Sequence, residues 1–176
     1  RKSFIIGIKS TKLLRKEKKF LKKYKPWGVI LFSRNIKSIN QTKNLTSQIR
    51  KIFRDSKYPI LIDQEGGRVN RLSNLLDAST FTAEFFGKLF KNDKKKFFIY
   101  SKIFIKQTCY LLEKIGININ TVPVLDVRRI NSNNIIGDRS FSSNPKIVSK
   151  IGNFYLDIFH KYKIASVIKH IPGHGL

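Results

Sequence analysis

The chain has 176 residues and a mass of 20.5 kDa, which suits one domain or part of one. With 41% apolar residues, a mean hydropathy of −0.26 and no apolar run near the roughly 20 residues of a membrane span, transmembrane and coiled-coil classes are excluded; Cys109 is the single cysteine, so a disulfide framework is excluded too. The net charge of +25 first suggests nucleic acid, but 26 Lys, 25 Ile and 13 Asn beside 3 Ala are the mark of A/T-rich codons, so the basic surface reads as compositional and no nucleic-acid partner is expected.

In chain order, residues 4–8 form a short β-branched run and read as a first strand. Residues 11–24 are Lys-rich, with Leu13, Leu14, Phe20, Leu21 and Tyr24 spaced as one helical stripe. Pro26 punctuates. The run GVILF at 28–32 is continuously apolar, as in a strand covered on both faces. Leu45, Ile49, Ile52 and Phe53 give residues 40–54 an amphipathic helical period. PILI at 59–62 is a third buried strand that runs into Asp63, and 63–77 is a polar, glycine-bearing loop. The triplet Lys94-Lys95-Lys96 reads as a solvated loop or a helix start. A helix comes next over 97–115, stopped by Gly116. Residues 117–125 read as a fourth strand ending at Asp126, and 127–144 as a loop. Asn144 then Pro145 start a helix with Ile147, Val148, Ile151, Phe154, Tyr155, Ile158 and Phe159 on its buried face. A fifth strand at 164–168 runs into Lys169-His170, and Pro172-Gly173 ends regular structure there.

Strands alternating with helices imply parallel pairing with crossover helices, in either a doubly wound sheet or a (β/α)₈ barrel. The turn after the first strand has one glycine and no phosphate-binding fingerprint, which favours the barrel. A barrel needs about 250 residues and eight units. Five strands are readable here, so the expectation is an incomplete barrel whose chain stops at Leu176 after strand five. The chain starts at Arg1 and has no Met, so its first residue is expected to lie inside a longer protein.

Both architectures place chemistry at the carboxyl ends of strands, where the polar residues of this sequence collect. Asp63-Gln64-Glu65-Gly66-Gly67-Arg68 sets two carboxylates, an amide and a cation in six residues. Its bland reading is a loop in which Glu65 pairs with Arg68 or Arg71. Asp126 follows the fourth strand and is read as pairing with a neighbouring Arg. Arg139 lies in the loop beyond it, and Lys169 and His170 end the fifth strand. His170 and His174 have i, i+4 spacing, but Pro172 and Gly173 between them preclude the helix that zinc ligation by such a pair requires, so no metal is expected. Cys109 reads as a buried structural thiol and His160 as a surface residue at a helix end.

The segments GVILFSRNI (28–36), ILIDQEGGRVNRL (60–72), VPVLDV (122–127), IIGDRSF (135–141) and VIKHIPGHG (167–175) resemble glycoside hydrolase family three, nearest its bacterial β-N-acetylglucosaminidase branch. Five motifs in the right order span nearly the whole chain. The resemblance implies an α/β (β/α)₈ TIM-type barrel, with residues 1–176 as the N-terminal part of a single catalytic domain and about five βα units present. It implies a cytoplasmic retaining glycosidase, a β-N-acetylhexosaminidase, without cofactor. That enzyme would remove terminal β-linked N-acetylglucosamine from muropeptides and other peptidoglycan fragments during cell-wall recycling. The family's substrate contacts fall on Asp63, Arg71, Arg139, Lys169 and His170. Its nucleophile is an Asp in a later strand-end loop, and its acid/base is a His assisted by an Asp beyond the KHxPGHG motif. Both are expected after residue 176, so no catalytic residue is expected in this chain and the chain alone is expected to be inactive. His174 belongs to the motif and not to that acid/base. Two other readings stay open from the residues: a β-glucosidase or glycoside phosphorylase on the same scaffold, and a non-catalytic sugar-binding remnant.

Overall fold

A computed structural model describes residues 2–129 and 134–174. Gly175 of the last motif, both chain ends and residues 130–133 of the loop read at 127–144 lie outside the described residues. In chain order the elements are β1 (Lys2–Gly7), α1 (Arg15–Tyr24), β2 (Pro26–Leu31), α2 (Ile39–Phe53), β3 (Ile60–Ile62), α3 (Ala83–Asn92), α4 (Lys94–Lys114), β4 (Ile119–Asn120), α5 (Pro145–Lys161) and β5 (Ala165–Ser166). Short 3₁₀ turns occupy Ser33–Asn35 and Gly137–Arg139.

All four strand pairs are parallel, and the order in the sheet is β1-β2-β3-β4-β5. Spatial order that follows chain order without reversing is the winding of a barrel; a doubly wound sheet must turn back at a switch point. Val29, Leu31, Ile60 and Ile62 pack into the core with residues of all five helices, such as Leu21, Ile49, Phe86, Ile105 and Ile151. The register sets Ile30, Leu61, Ile119 and Ala165 in one row on the other face, because side chains alternate with period two. Leu61 and Ile119 are buried there, outside the helix-side core.

Helix ends follow local chemistry. Ser38 caps α2 by accepting from the Gln41 N–H at 3.3 Å, and Asn144 caps α5 by accepting from the Lys146 N–H at 2.9 Å. Gly116 (φ +75°) follows the end of α4 as read. Asp93 accepts from the Lys96 N–H at 2.9 Å, so α4 opens at Lys94 and the lysine triplet is its first turn. The helix read from residue 11 begins only at Arg15, because Glu17 accepts from the backbone N–H of Leu14 and Lys9 and closes the turn before it. Of its expected stripe, Leu13 and Leu21 are buried while Leu14 and Phe20 are exposed.

Two further differences matter for the site. Helix α3, absent from the sequence reading, packs Phe86 into the core between α4 and α5, with rings of Phe104 and Tyr155 at 5.4 and 6.1 Å. The fourth strand read at 117–125 is regular only over Ile119–Asn120. Beyond it, a single bridge joins Val124 to Lys169, held by the Leu125 N–H donating to the Lys169 carbonyl at 2.6 Å. That irregular stretch brings Asp126 beside the end of β5. Cys109 is buried in α4, and desolvation pushes its thiol up to about 12. His160 is exposed at the end of α5.

Candidate functional site

The period of two continues past the strands. Asp63 is two residues beyond Leu61, Thr121 two beyond Ile119, and Lys169 four beyond Ala165, so the row of Leu61, Ile119 and Ala165 leads to all three. They meet at the carboxyl end of the sheet. Lys169 Nζ donates to Asp63 Oδ1 at 3.0 Å and to Thr121 Oγ1 at 3.1 Å, and the Thr121 hydroxyl donates to Asp63 Oδ1. Lys169 Nζ also lies 2.7 Å from Glu65 Oε1. Glu65 then takes Arg139 in a bidentate pair, with Nε 2.8 Å from Oε2 and Nη2 2.9 Å from Oε1. Arg139 Nη2 reaches to 3.5 Å from His170 Nε2, and His170 Nδ1 lies 2.6 Å from Asp126 Oδ2. The rim is thus one relay running from Asp63 through Lys169, Glu65, Arg139 and His170 to Asp126, with the charge alternating from Asp63 as far as Arg139.

The backbone holds these groups in place. Gln64 and Asn120 are buried and exchange two hydrogen bonds, the Gln64 N–H to Asn120 Oδ1 at 2.9 Å and Asn120 Nδ2 to the Gln64 carbonyl at 3.0 Å. Gln64 Oε1 accepts from the Leu72 N–H at 3.0 Å and closes the loop. Gly66 sits at φ +94°, and a Cβ there would lie 2.3 Å from the Phe81 carbonyl oxygen, so only glycine lets the loop turn under Glu65. Arg68 crosses to the next loop, meeting Asp138 Oδ1 at 2.9 Å and the carbonyls of Asn134, Ile135 and Ile136 at 2.7–2.9 Å. It anchors the turn that carries Arg139.

Here one bland alternative is set aside and one expectation is corrected. Glu65 pairs with Arg139 and Lys169, not with Arg68 or Arg71, because the neighbouring loops offer cations from 74 and 104 residues away at shorter reach. Asp126 pairs not with an Arg but with His170, and it also accepts from the backbone N–H groups of His170 at 3.1 Å and His174 at 2.6 Å. Of the five expected substrate contacts, Asp63, Arg139, Lys169 and His170 are joined in the relay. Arg71 stands beside it, its guanidinium 5.7 Å from the Phe32 ring centroid, its Nε buried without a hydrogen-bond partner among the described residues and its charge felt by Asp63. Glu65 and Thr121 were not among the expected contacts. The position of Thr121 within the strand read at 117–125 was the available signal.

The electrostatics limit what the rim can do. Burial pushes Asp63 up, but the Thr121 hydroxyl and Lys169 outweigh it and hold the carboxyl below its ordinary value. Burial likewise raises Glu65, and Arg139 with Lys169 reverse the sign. Asp126 is lowered because the N–H donors of His174 and His170 overcome its burial. Hydrogen bonding to Glu65 raises Arg139. A general acid for glycosidic cleavage needs a raised carboxyl pKa, and these three carboxylates go the other way. The rim offers fixed donors on Lys169, Arg139 and Arg71 and an acceptor on Asp63, the complement a neutral polyhydroxyl ligand requires. Among the described residues, no group of three or more His, Cys, Asp or Glu is placed to hold a metal ion, and no helix is long and apolar enough to cross a membrane.

Residues 5–176 match the glycosyl hydrolase family 3 N terminal domain. The beta-hexosaminidase of Hydrogenovibrio crunogenus is 36% identical over 172 residues, covering 97% of this chain and 47% of that protein. The beta-hexosaminidase of Xanthomonas campestris is 31% identical over 171 residues, covering 97% and 50%. The crystal structure of NagZ from Neisseria gonorrhoeae in complex with N-trifluoroacetyl-D-glucosamine superposes with a TM-score of 0.89 at 28% identity, covering all of this chain and 51% of that one. The chain thus spans about half the length of these relatives.

Proposed function

The chain belongs to glycosyl hydrolase family 3, and from that premise we propose that it is the sugar-holding part of a retaining β-N-acetylglucosaminidase. The carrying observation is the convergence of Asp63, Lys169, Arg139 and His170, with Arg71 beside them, at the carboxyl end of a singly wound parallel sheet. In this reading residues 1–176 are the N-terminal part of one barrel domain. Support comes from β1 and β5, whose outer edges have no partner strand among the described residues, and from Ile5 and Val167, which are exposed there.

The proposed substrate is a terminal, non-reducing β-linked N-acetylglucosamine on a peptidoglycan fragment, handled in the cytoplasm during wall recycling. Asp63 accepts from sugar hydroxyls while Lys169, Arg139 and Arg71 donate to ring substituents. Charge-assisted bonds of this kind contribute roughly 1.5–3 kcal/mol each and fix the pyranose in one pose. The groups that break the bond, a carboxylate nucleophile and an acid/base, are assigned to residues outside 1–176. Carboxyls held below their ordinary values by cationic and hydroxyl partners, as at Asp63 and Glu65, suit holding and not proton transfer.

The test is a panel of aryl glycosides offered to the full-length protein with and without phosphate. Turnover of the N-acetyl-β-glucosaminide by hydrolysis, with retained configuration, is expected. Preference for the β-glucoside, or a requirement for phosphate, would replace this reading with the glucosidase or phosphorylase one.

A further inference from the structure

We propose that Asp126 is a positioning residue that holds His170 as the neutral Nδ1–H tautomer, so that Nε2 faces the site as a hydrogen-bond acceptor. The Asp126 side chain is 4% exposed and its carboxylate meets three N–H donors: His170 Nδ1 at 2.6 Å, the His170 backbone at 3.1 Å and the His174 backbone at 2.6 Å. A carboxylate held below its ordinary pKa accepts only, so Nδ1 carries the proton. On the far side of the ring stands Arg139 Nη2, 3.5 Å from Nε2. A guanidinium donates only. A proton on Nε2 would set N–H against N–H and a second cation beside Arg139, whose charge is already fixed by Glu65.

The consequence rests on the sugar-binding reading. Lys169, Arg139 and Arg71 present donors, while His170 Nε2 adds an acceptor beside one of them. A hydroxyl that accepts from Arg139 can donate to His170 Nε2, so this pair forms a seat for one hydroxyl used in both directions. The two backbone bonds from residues 170 and 174 keep the ring aimed there. The His174 ring lies beside that of His170, centroid to centroid at 4.8 Å.

The tautomer is read without substrate, by long-range ¹H–¹⁵N correlation of the imidazoles in the full-length protein at neutral pH, with the His170 signals identified by their loss in His170→Gln. A protonated Nδ1 and a bare Nε2 are expected. An Nε2–H tautomer or an imidazolium in the unmutated protein overturns the proposal, whatever the variants do. Asp126→Asn can still accept one backbone N–H but no longer imposes the ring proton. It is expected to move His170 toward Nε2–H and to raise KM for the aryl N-acetyl-β-glucosaminide at least tenfold with a smaller change in kcat. An unchanged tautomer and KM in that variant would also overturn it. Absence of glycosidase activity with the Nδ1–H tautomer present would sink the proposed function and leave the tautomer assignment standing.

Discussion

Replacing Glu65 by Gln keeps the shape of the side chain and removes the charge at the middle of the relay. The Glu65 side chain is 7% exposed, with Lys169 at 2.7 Å and Arg139 bidentate at 2.8 and 2.9 Å. Two unit charges about 4 Å apart interact by about 4 kcal/mol at an effective dielectric near 20, and Glu65 engages two cations. Part of that attraction is returned because the neutral amide is easier to bury, and removing one partner of a buried pair typically costs about 3–5 kcal/mol. The amide oxygen can serve one cation, but its NH₂ then faces the other, donor against donor. A loss of about 3 kcal/mol is therefore expected, divided between the fold and the site. In urea titration the full-length Glu65→Gln protein should unfold at clearly lower denaturant. In steady-state hydrolysis of an aryl N-acetyl-β-glucosaminide, kcat/KM should fall on the order of tenfold, since about 1.4 kcal/mol is a factor of ten. If both the urea midpoint and kcat/KM stay within twofold of the unmutated protein, the relay is an incidental surface arrangement and the argument from charge alternation is wrong.

Asp63→Ala should lower kcat/KM by a hundredfold or more with a smaller effect on the urea midpoint, whereas the exposed Lys9→Ala should change neither; equal losses of stability and activity in Asp63→Ala would make Asp63 a loop brace only. Asp63, Glu65 and Asp126 have folded pKa values below their unfolded ones, so the stability they contribute is complete above the ordinary carboxylate range and is lost as pH falls through the lower folded values. Urea midpoints measured from pH 6 to pH 3 should fall at the acid end, less steeply in Glu65→Gln; a midpoint that rises on acidification would refute the sign. Gly87→Ala should destabilise by more than the usual ~1–3 kcal/mol of overpacking, because its Cβ would lie 1.6 Å from the Phe141 carbonyl oxygen, two residues beyond Arg139; a stable Gly87→Ala protein with full activity would show that α3 does not set the Arg139 turn.

Much of this protein is legible in its sequence because the deciding forces are local. Continuous apolar runs at 28–32 and 59–62 make strands, Asn144-Pro145 opens α5, Gly116 ends α4, and the alternation of strands with helices forces parallel pairing. Those rules also place Asp63, Lys169 and His170 at strand ends. Helix α3 escaped because Gly87 interrupts its pattern. That glycine answers to the Phe141 backbone 54 residues away and not to helix propensity.

Tertiary structure decided the partnerships. By spacing, Glu65 belongs with Arg68 or Arg71, yet the fold gives it Arg139 and Lys169 and sends Arg68 to Asp138. Asp126 meets His170 only because the chain leaves regular β4 after Asn120 and bridges from Val124 to Lys169, beyond β5. The sequence determines which charges reach the rim, through period two along each strand. Which charge faces which depends on the packing of loops from β3, β4 and β5 against one another, and electrostatic energy at about 3 Å is set by that through-space distance, not by separation along the chain.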